Sequence, residues 1–355
     1  MAAIVSEDVW SESDTTPDAI EEALRELLRA CHAANQALAP ARVLNLIVVV
    51  DRAWKGEIAN RLEGVGRYHA SRTVLVAVEQ ERTTLDAVVT MSYQEPADGS
   101  SGVILERVEI EVGPEHLARL DTIVDPVISS ELPTVLWCPH GHDEALDALL
   151  GMVDVVLLDS DDTLVPSDGL ARAVELLDSA YVVDLAWLRT TPWRERLAAS
   201  FDPPDRLAGL ERISSVAVRH RASSATSALL LAGWLSSRLH WEARPLQAIE
   251  RGSLSGAARR NGSEISVELE PTEQESPGLA GVTISCSGGF ALSLDRSTGG
   301  LRAMHRSDDG QKRTWQVLGA SRGEGGILGE GVRQALLRDP TYGPALDAAR
   351  GFCPA

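Results

Sequence analysis

Lysine is nearly absent from this chain of 355 residues: Lys55 and Lys312 stand alone among 33 basic side chains, and arginine supplies the rest. Acids outnumber the bases at 52, giving a formal charge of −19. So negative a surface excludes a protein that neutralises nucleic-acid phosphates or docks on anionic lipid. Long apolar runs are missing too. The longest, residues 46–50 and 228–235, fall far short of the ~20 residues that span a bilayer. The N-terminal segment is acidic at Glu7, Asp8, Glu12 and Asp14, unlike the cationic start of a signal peptide. Cysteine is sparse. Cys31, Cys138, Cys286 and Cys353 show no paired spacing, so reduced thiols in the cytoplasm are expected. Phe and Tyr number three and four, whereas Trp reaches eight. Trp is favoured where one edge of the ring stays polar or meets a partner.

Length suggests roughly two domains, at about 150 residues each. Residues 1–15 read as a disordered acidic tail. Thr16 then caps and Pro17 opens a helix, with Ile20, Leu24, Leu27, Leu28 and Cys31 recurring at helical spacing. Apolar runs at 43–50 and 73–78 read as strands buried on both faces. Alternating stretches at 85–93 and 103–112, split by a turn at 96–99, predict a hairpin. A strand at 134–137, a helix at 143–150, a strand at 153–158 and helices at 168–179 and 192–199 continue the series. An N-terminal α/β sandwich domain with a mixed sheet over 16–201 follows. The break Asp202-Pro203-Pro204-Asp205 suits a domain boundary. Beyond it, a strand at 213–218, a helix at 224–239, strands near 265–304 and a helix at 331–337 predict a C-terminal α+β domain over 206–355. Charge is uneven as well: acids dominate 143–184, and arginine dominates 192–260.

Val155-Val156-Leu157-Leu158-Asp159-Ser160-Asp161-Asp162-Thr163 matches the first motif of haloacid-dehalogenase-like phosphatases. There the first carboxylate attacks phosphorus and binds Mg²⁺, and the second is the general acid. That chemistry also wants a cation, normally Lys. Lys312 follows poorly matching strands, so a Mg²⁺-dependent phosphatase on Asp159 and Asp161 is the alternative reading. Cys138, His140 and His142 fall within five residues, yet no second ligand cluster joins them, so no metal is assigned. The glycines at 323, 325, 326, 329 and 331 precede a helix without dinucleotide spacing, and the sugar- or nucleotide-binding regulator they suggest is a third reading. No Gly-x-Ser-x-Gly elbow and no His-Glu-x-x-His is present. The expectation is a protein without enzymatic activity and without a cofactor.

The densest unusual segment runs from Asp184 to Leu197 and contains Trp187, Arg189, Trp193, Arg194 and Arg196. Trp and Arg together are enriched at interface hot spots. These five, with His220, Arg221 and Trp241, are the candidate partner-contact residues. Asp184-Leu185-Ala186-Trp187 through Thr191-Pro192-Trp193-Arg194 resembles the signature of the OpcA family, the glucose-6-phosphate dehydrogenase assembly proteins of actinobacteria and cyanobacteria. Ala41-Arg42-Val43-Leu44-Asn45-Leu46, His69-Ala70-Ser71-Arg72-Thr73, Glu131-Leu132-Pro133-Thr134-Val135-Leu136-Trp137 and Ala232-Gly233-Trp234-Leu235 are similar to further family stretches, in family order. The arginine bias suits an actinobacterial member. The resemblance implies a non-catalytic, cytoplasmic partner that binds the oligomeric dehydrogenase, promotes its activity and so governs NADPH supply from the oxidative pentose phosphate pathway. It carries no expectation of nucleic acid or membrane binding.

Overall fold

The computed structural model describes residues 5–34, 39–40, 42–66, 71–94, 103–139, 141–318, 323–335 and 337–354. The expected turn at 96–99, together with Ala41, His69, Ala70 and His140, lies outside them. Two compact units divide the chain: Met1–Leu158 with Leu176–Val183, and Asp159–Glu175 with Asp184–Ala355. Among the described residues, no helix is long and apolar enough to cross a membrane.

The first unit is built on β1 (Val5–Glu12), α1 (Pro17–Ala34), β2 (Ala39–Pro40), β3 (Leu44–Asp51), α2 (Lys55–Gly66), β4 (Ser71–Val78), β5 (Asp86–Gln94), β6 (Val103–Val112), α3 (Leu120–Val124), β7 (Thr134–Trp137), α4 (Asp143–Leu149), β8 (Val155–Leu158) and β9 (Tyr181–Asp184), while α5 (Pro166–Leu177), between β8 and β9, belongs for most of its length to the second. Its sheet runs β1-β5-β6-β4-β3-β7-β8-β9, with β2 on β6. Parallel pairing joins β3 to β4 and β7, while β5 is antiparallel to β1 and β6. The mixed sheet is as expected. Central β3 is buried on both faces because every residue from Leu44 to Val50 is buried, including Asn45. Thr16 Oγ1 accepts from the Ala19 amide at 3.3 Å, which is the cap read from the sequence.

One expectation fails here. The acidic tail is not disordered, because residues 5–12 form β1 and pair with β5 along its length. An edge strand draws its ladder bonds from one neighbour and leaves its acidic side chains in water, so a charged composition does not exclude it.

The second unit contains α6 (Leu185–Phe201), α7 (Pro204–Leu210), β10 (Ile213–Arg221), α8 (Ala225–Leu239), β11 (Gln247–Ala248), β12 (Leu254–Arg260), β13 (Ser263–Thr272), β14 (Leu279–Cys286), β15 (Ala291–Ser297), β16 (Gly300–Arg306), β17 (Lys312–Leu318), α9 (Gly323–Gln334) and α10 (Tyr342–Arg350). Its sheet runs β11-β12-β13-β10-β14-β15-β16-β17, parallel at β10–β13 and antiparallel along β14 to β17. The α+β character is as expected, but the division at 202–205 is not where the chain divides. Those prolines make a turn between two helices of one unit: Arg206 Nη1 donates back to the Ser200 carbonyl at 3.2 Å. Pro192 does not open a helix either. It lies inside α6, because Asp184 caps that helix earlier by accepting from the Ala186 amide at 2.9 Å. The glycines expected to precede a helix are themselves part of α9.

Candidate functional site

Within the second unit, the turn after β8, the start of α6, the first turn of α8 and the start of α10 bring three aspartates together. Asp159 caps a 3-10 turn over Ser160–Asp162 by accepting from the Asp161 amide at 3.3 Å. Arg189 closes on it with both arms of its fork, Nη1 to Oδ1 at 2.7 Å and Nη2 to Oδ2 at 2.6 Å. This is the bidentate geometry that makes a guanidinium–carboxylate pair strong. Asp161 accepts from Ser227 twice, from the amide at 3.0 Å and from Oγ at 2.5 Å. Asp184 is wholly enclosed. It accepts from Ser160 Oγ at 2.7 Å and Tyr342 Oη at 3.0 Å, besides its cap bond.

A second layer is built on Trp187. Its Nε1 donates to Asp339 Oδ2 at 2.9 Å, and its ring lies 5.6 Å from that of Tyr342. The Arg194 guanidinium stacks 3.5 Å above the Trp187 ring while Nε donates to Thr190 Oγ1 at 3.0 Å. Asp339 also fixes the entry to α10, accepting from the Thr341 amide at 2.8 Å. Burial pushes the Arg194 pKa down to about 10.

This arrangement sets where the candidate contact residues lie. Trp187, Arg189, Trp193, His220 and Trp241 are all buried in this unit. His220 holds its Nδ1 2.7 Å from the Arg221 carbonyl, and the Trp241 indole N–H has no partner among the described residues. Arg194 is committed to Trp187, and Arg221 is half-buried. Arg196 alone of the eight is exposed. Trp and Arg in a short span fit a partner surface and an internal scaffold equally well, and tertiary burial decides between them. The sequence reading did not assign Ser227, Asp339 or Tyr342, whose partners lie far along the chain. Asp159 and Asp161, in the phosphatase-like motif, and Asp184, within the family-like segment, carry a signal.

The same geometry engages both carboxylates of the phosphatase-like motif within the fold. A nucleophilic Asp159 would have to present an oxygen to phosphorus, yet both its oxygens are held by Arg189 and its side chain is 10% exposed. Asp161 is bonded to Ser227 through both oxygens and is 7% exposed. The cluster is a lock on the fold, tying the turn after β8 to α6, α8 and α10. In the first unit, His142 lies 3.1 Å from Asp51 at a left-handed turn formed with Gly141, where α4 begins. Among the described residues, no group of three or more His, Cys, Asp or Glu is placed to hold a metal.

The lock is pH-sensitive. Burial, with the charge of Asp159, pushes Asp161 up to about 7 and Asp184 up to about 6. Because both folded-state values exceed the ordinary carboxylate value of 3.8, the folded chain holds protons that the unfolded chain has released. This contribution is full below pH ~4 and is lost as pH rises through about 7. Buried His220 and half-buried His305, whose pKa values are lowered, act in the opposite sense below 6.5. The informative measurement is therefore a difference. Asp161→Asn should raise stability over the parent by on the order of 1–2 kcal/mol at pH 8, and the gain should shrink through pH 5 and vanish below pH ~4. Urea midpoints across that range check it, and parallel curves for the two proteins would refute it.

Comparison with known proteins bears on both units. The family model described as the glucose-6-phosphate dehydrogenase subunit N-terminal domain of OpcA matches residues 63–175, and the corresponding C-terminal domain matches residues 180–346. Three curated relatives are called putative OxPP cycle protein OpcA. The one from Nostoc punctiforme is 31% identical over 36% of this chain and 28% of its own length. Those from Synechocystis and Synechococcus elongatus are 26% and 27% identical over 39% and 41% of this chain, and over 30% and 34% of their own lengths. The matched region thus spans about a third of each relative. A transcriptional regulator, Gal80p from Kluyveromyces lactis, has a TM-score of 0.47 at 7% identity over 87% of each chain, a likeness too distant to bear on function.

Proposed function

The chain belongs to the OpcA family of glucose-6-phosphate dehydrogenase subunits, and from that premise we propose that it is a non-catalytic partner which binds the dehydrogenase and favours its active assembly. The observation that supports this reading most is that both family domains are matched in order, one after the other, over most of the chain. The carboxylates that most resembled a reaction centre are consumed in holding the second unit together, which agrees with a binding role. Such a partner acts by binding the competent conformation of the oligomeric enzyme more tightly and shifting its population. A cytoplasmic setting in the oxidative pentose phosphate pathway follows from the same premise, and the actinobacterial assignment stays with the arginine bias of the sequence.

Arg196 is the remaining contact candidate. It is exposed on α6, and no acid pairs with it among the described residues. A basic side chain on a chain of net charge −19 selects an acidic patch on its partner. The test mixes the purified chain with its cognate dehydrogenase and follows NADPH formation from glucose 6-phosphate together with complex size. A rise in rate, or a tighter KM, with co-elution is expected. Unchanged kinetics and no complex would sink the reading. Arg196→Glu should weaken the association by about tenfold, chiefly by slowing it. Unaltered affinity would remove Arg196 from the contact while leaving the association itself intact.

A further inference from the structure

The second unit holds a cavity of about 400 Å³, lined by none of the residues of the aspartate lock. Its walls come from α7, the chain before β10, and the hairpin of β16 and β17, and they include Arg206, Arg212, Phe290, His305, Ser307 and Asp308. The volume lies in the range of small-molecule sites.

Two guanidiniums face this space under different constraints. Arg206 is tethered through one nitrogen to the neutral Ser200 carbonyl, and no carboxylate pairs with it among the described residues. Arg212 gives one nitrogen to Asp308, Nη1 to Oδ2 at 3.2 Å. A planar fork with uncommitted N–H groups recognises phosphate oxygens through paired, charge-assisted bonds. Beside them, the His305 ring stacks on Phe290 at a centroid distance of 6.3 Å and an interplanar angle of 21°, with Trp315 at its edge. Buried Nδ1 of His305 has no hydrogen-bond partner among the described residues. Burial, with the positive charges of Arg206 and Arg313, holds the imidazole below its ordinary range, so at neutral pH it offers one donor and one acceptor. Ser307 and Asp308 add a hydroxyl and a carboxylate to the lining, the carboxylate beside Arg212.

Cations, hydroxyl-matching groups and a flat ring wall together form a mixed lining. A bare anion would leave the Ser307 and His305 groups unmatched, and a neutral sugar would leave Arg206 uncompensated. We propose that this cavity binds a phosphorylated sugar, with the phosphomonoester on Arg206 and Arg212 and the sugar hydroxyls on Ser307, Asp308 and His305. The chain would then sense a metabolite directly, whether or not a partner is bound.

Isothermal titration of the full chain alone, without dehydrogenase, tests this with glucose 6-phosphate as the probe. Saturable binding in the micromolar to millimolar range is expected, with glucose and inorganic phosphate each weaker by about tenfold or more. Arg206→Gln should weaken glucose 6-phosphate by about tenfold, because a charged hydrogen bond is lost. Ser307→Ala should weaken glucose 6-phosphate while leaving inorganic phosphate unchanged. Arg29→Gln, on the exposed face of α1, should change nothing. Ligand-free melting curves matching the parent's establish that each variant folds. The proposal is overturned if glucose 6-phosphate gives no saturable heat, or if inorganic phosphate binds as tightly. It is equally overturned if adenosine monophosphate binds in preference, or if Arg206→Gln retains full affinity. Because no dehydrogenase is present, failure here leaves the proposed association untouched, and the reverse holds as well.

Discussion

Replacing Arg189 with Met is expected to cost the chain about 3–5 kcal/mol of stability at pH 8, the penalty for breaking a buried ion pair by removing one partner. The side chain is 7% exposed and Asp159 is 10% exposed, so neither charge can turn to water without moving the backbone. Methionine fills much of the volume but leaves the Asp159 carboxylate with the Asp161 amide as its remaining bond, beside the carboxylates of Asp161 and Asp184. Three further measurements fix the cause. The loss should shrink at pH 5, where the stranded carboxylates can take up protons. Asp159→Asn should be damaging alone, since it strands Arg189 instead. The double variant should recover a large part of the loss, because both charges are then gone. Equal losses at both pH values with additive single variants would show that packing, not charge, is what Arg189 supplies. Should Arg189→Met leave the denaturation midpoint in place and weaken dehydrogenase binding instead, the residue would return to the contact surface where sequence composition first put it.

That reversal shows where sequence reasoning is strong and where it stops. Periodicity located β3, β4, the β5–β6 hairpin, β7, α1 and α8 within a few residues, because each buries a regular face or run and needs no distant information. It missed β12, whose Leu254-Ser255-Gly256-Ala257-Ala258 is too weakly apolar to read as a strand. Only pairing with β13 along its whole length makes it one. The site depended still more on distance in sequence. Trp187 meets Asp339 152 positions away, and Asp161 meets Ser227 66 positions away. Nothing local in either residue specifies its partner. The family-like segment located the right region without its meaning. Asp184 and Trp187 belong to that segment as holders of α10 and of the turn after β8, and their chemistry points inward.

Another family-like stretch, Ala232-Gly233-Trp234-Leu235, gives the second large prediction. Gly233 lies on α8 where α10 passes, and a Cβ added there would sit 2.2 Å from the Ala345 carbonyl oxygen and 2.7 Å from the Ala349 amide nitrogen. The obstructing atoms are main chain, so no rotamer change relieves the overlap, and the two helices must part. Gly233→Ala should therefore destabilise by about 3 kcal/mol or more, at the upper end of overpacking costs, although alanine is the better helix former. Gly56, on α2, has nothing within 4 Å of the corresponding position. Gly56→Ala should accordingly be neutral or stabilising by up to about 1 kcal/mol. The damage at Gly233 should also travel. Displacing α10 pulls Tyr342 from Asp184 and from the Trp187 ring, which opens the aspartate lock from its far side. Hydrogen exchange should then quicken both along α10 and in the 160–162 turn that Asp184 holds through Ser160. Faster exchange confined to α10, with the turn still protected, would show that the lock stands without Tyr342 and that Arg189 and Ser227 suffice to close it.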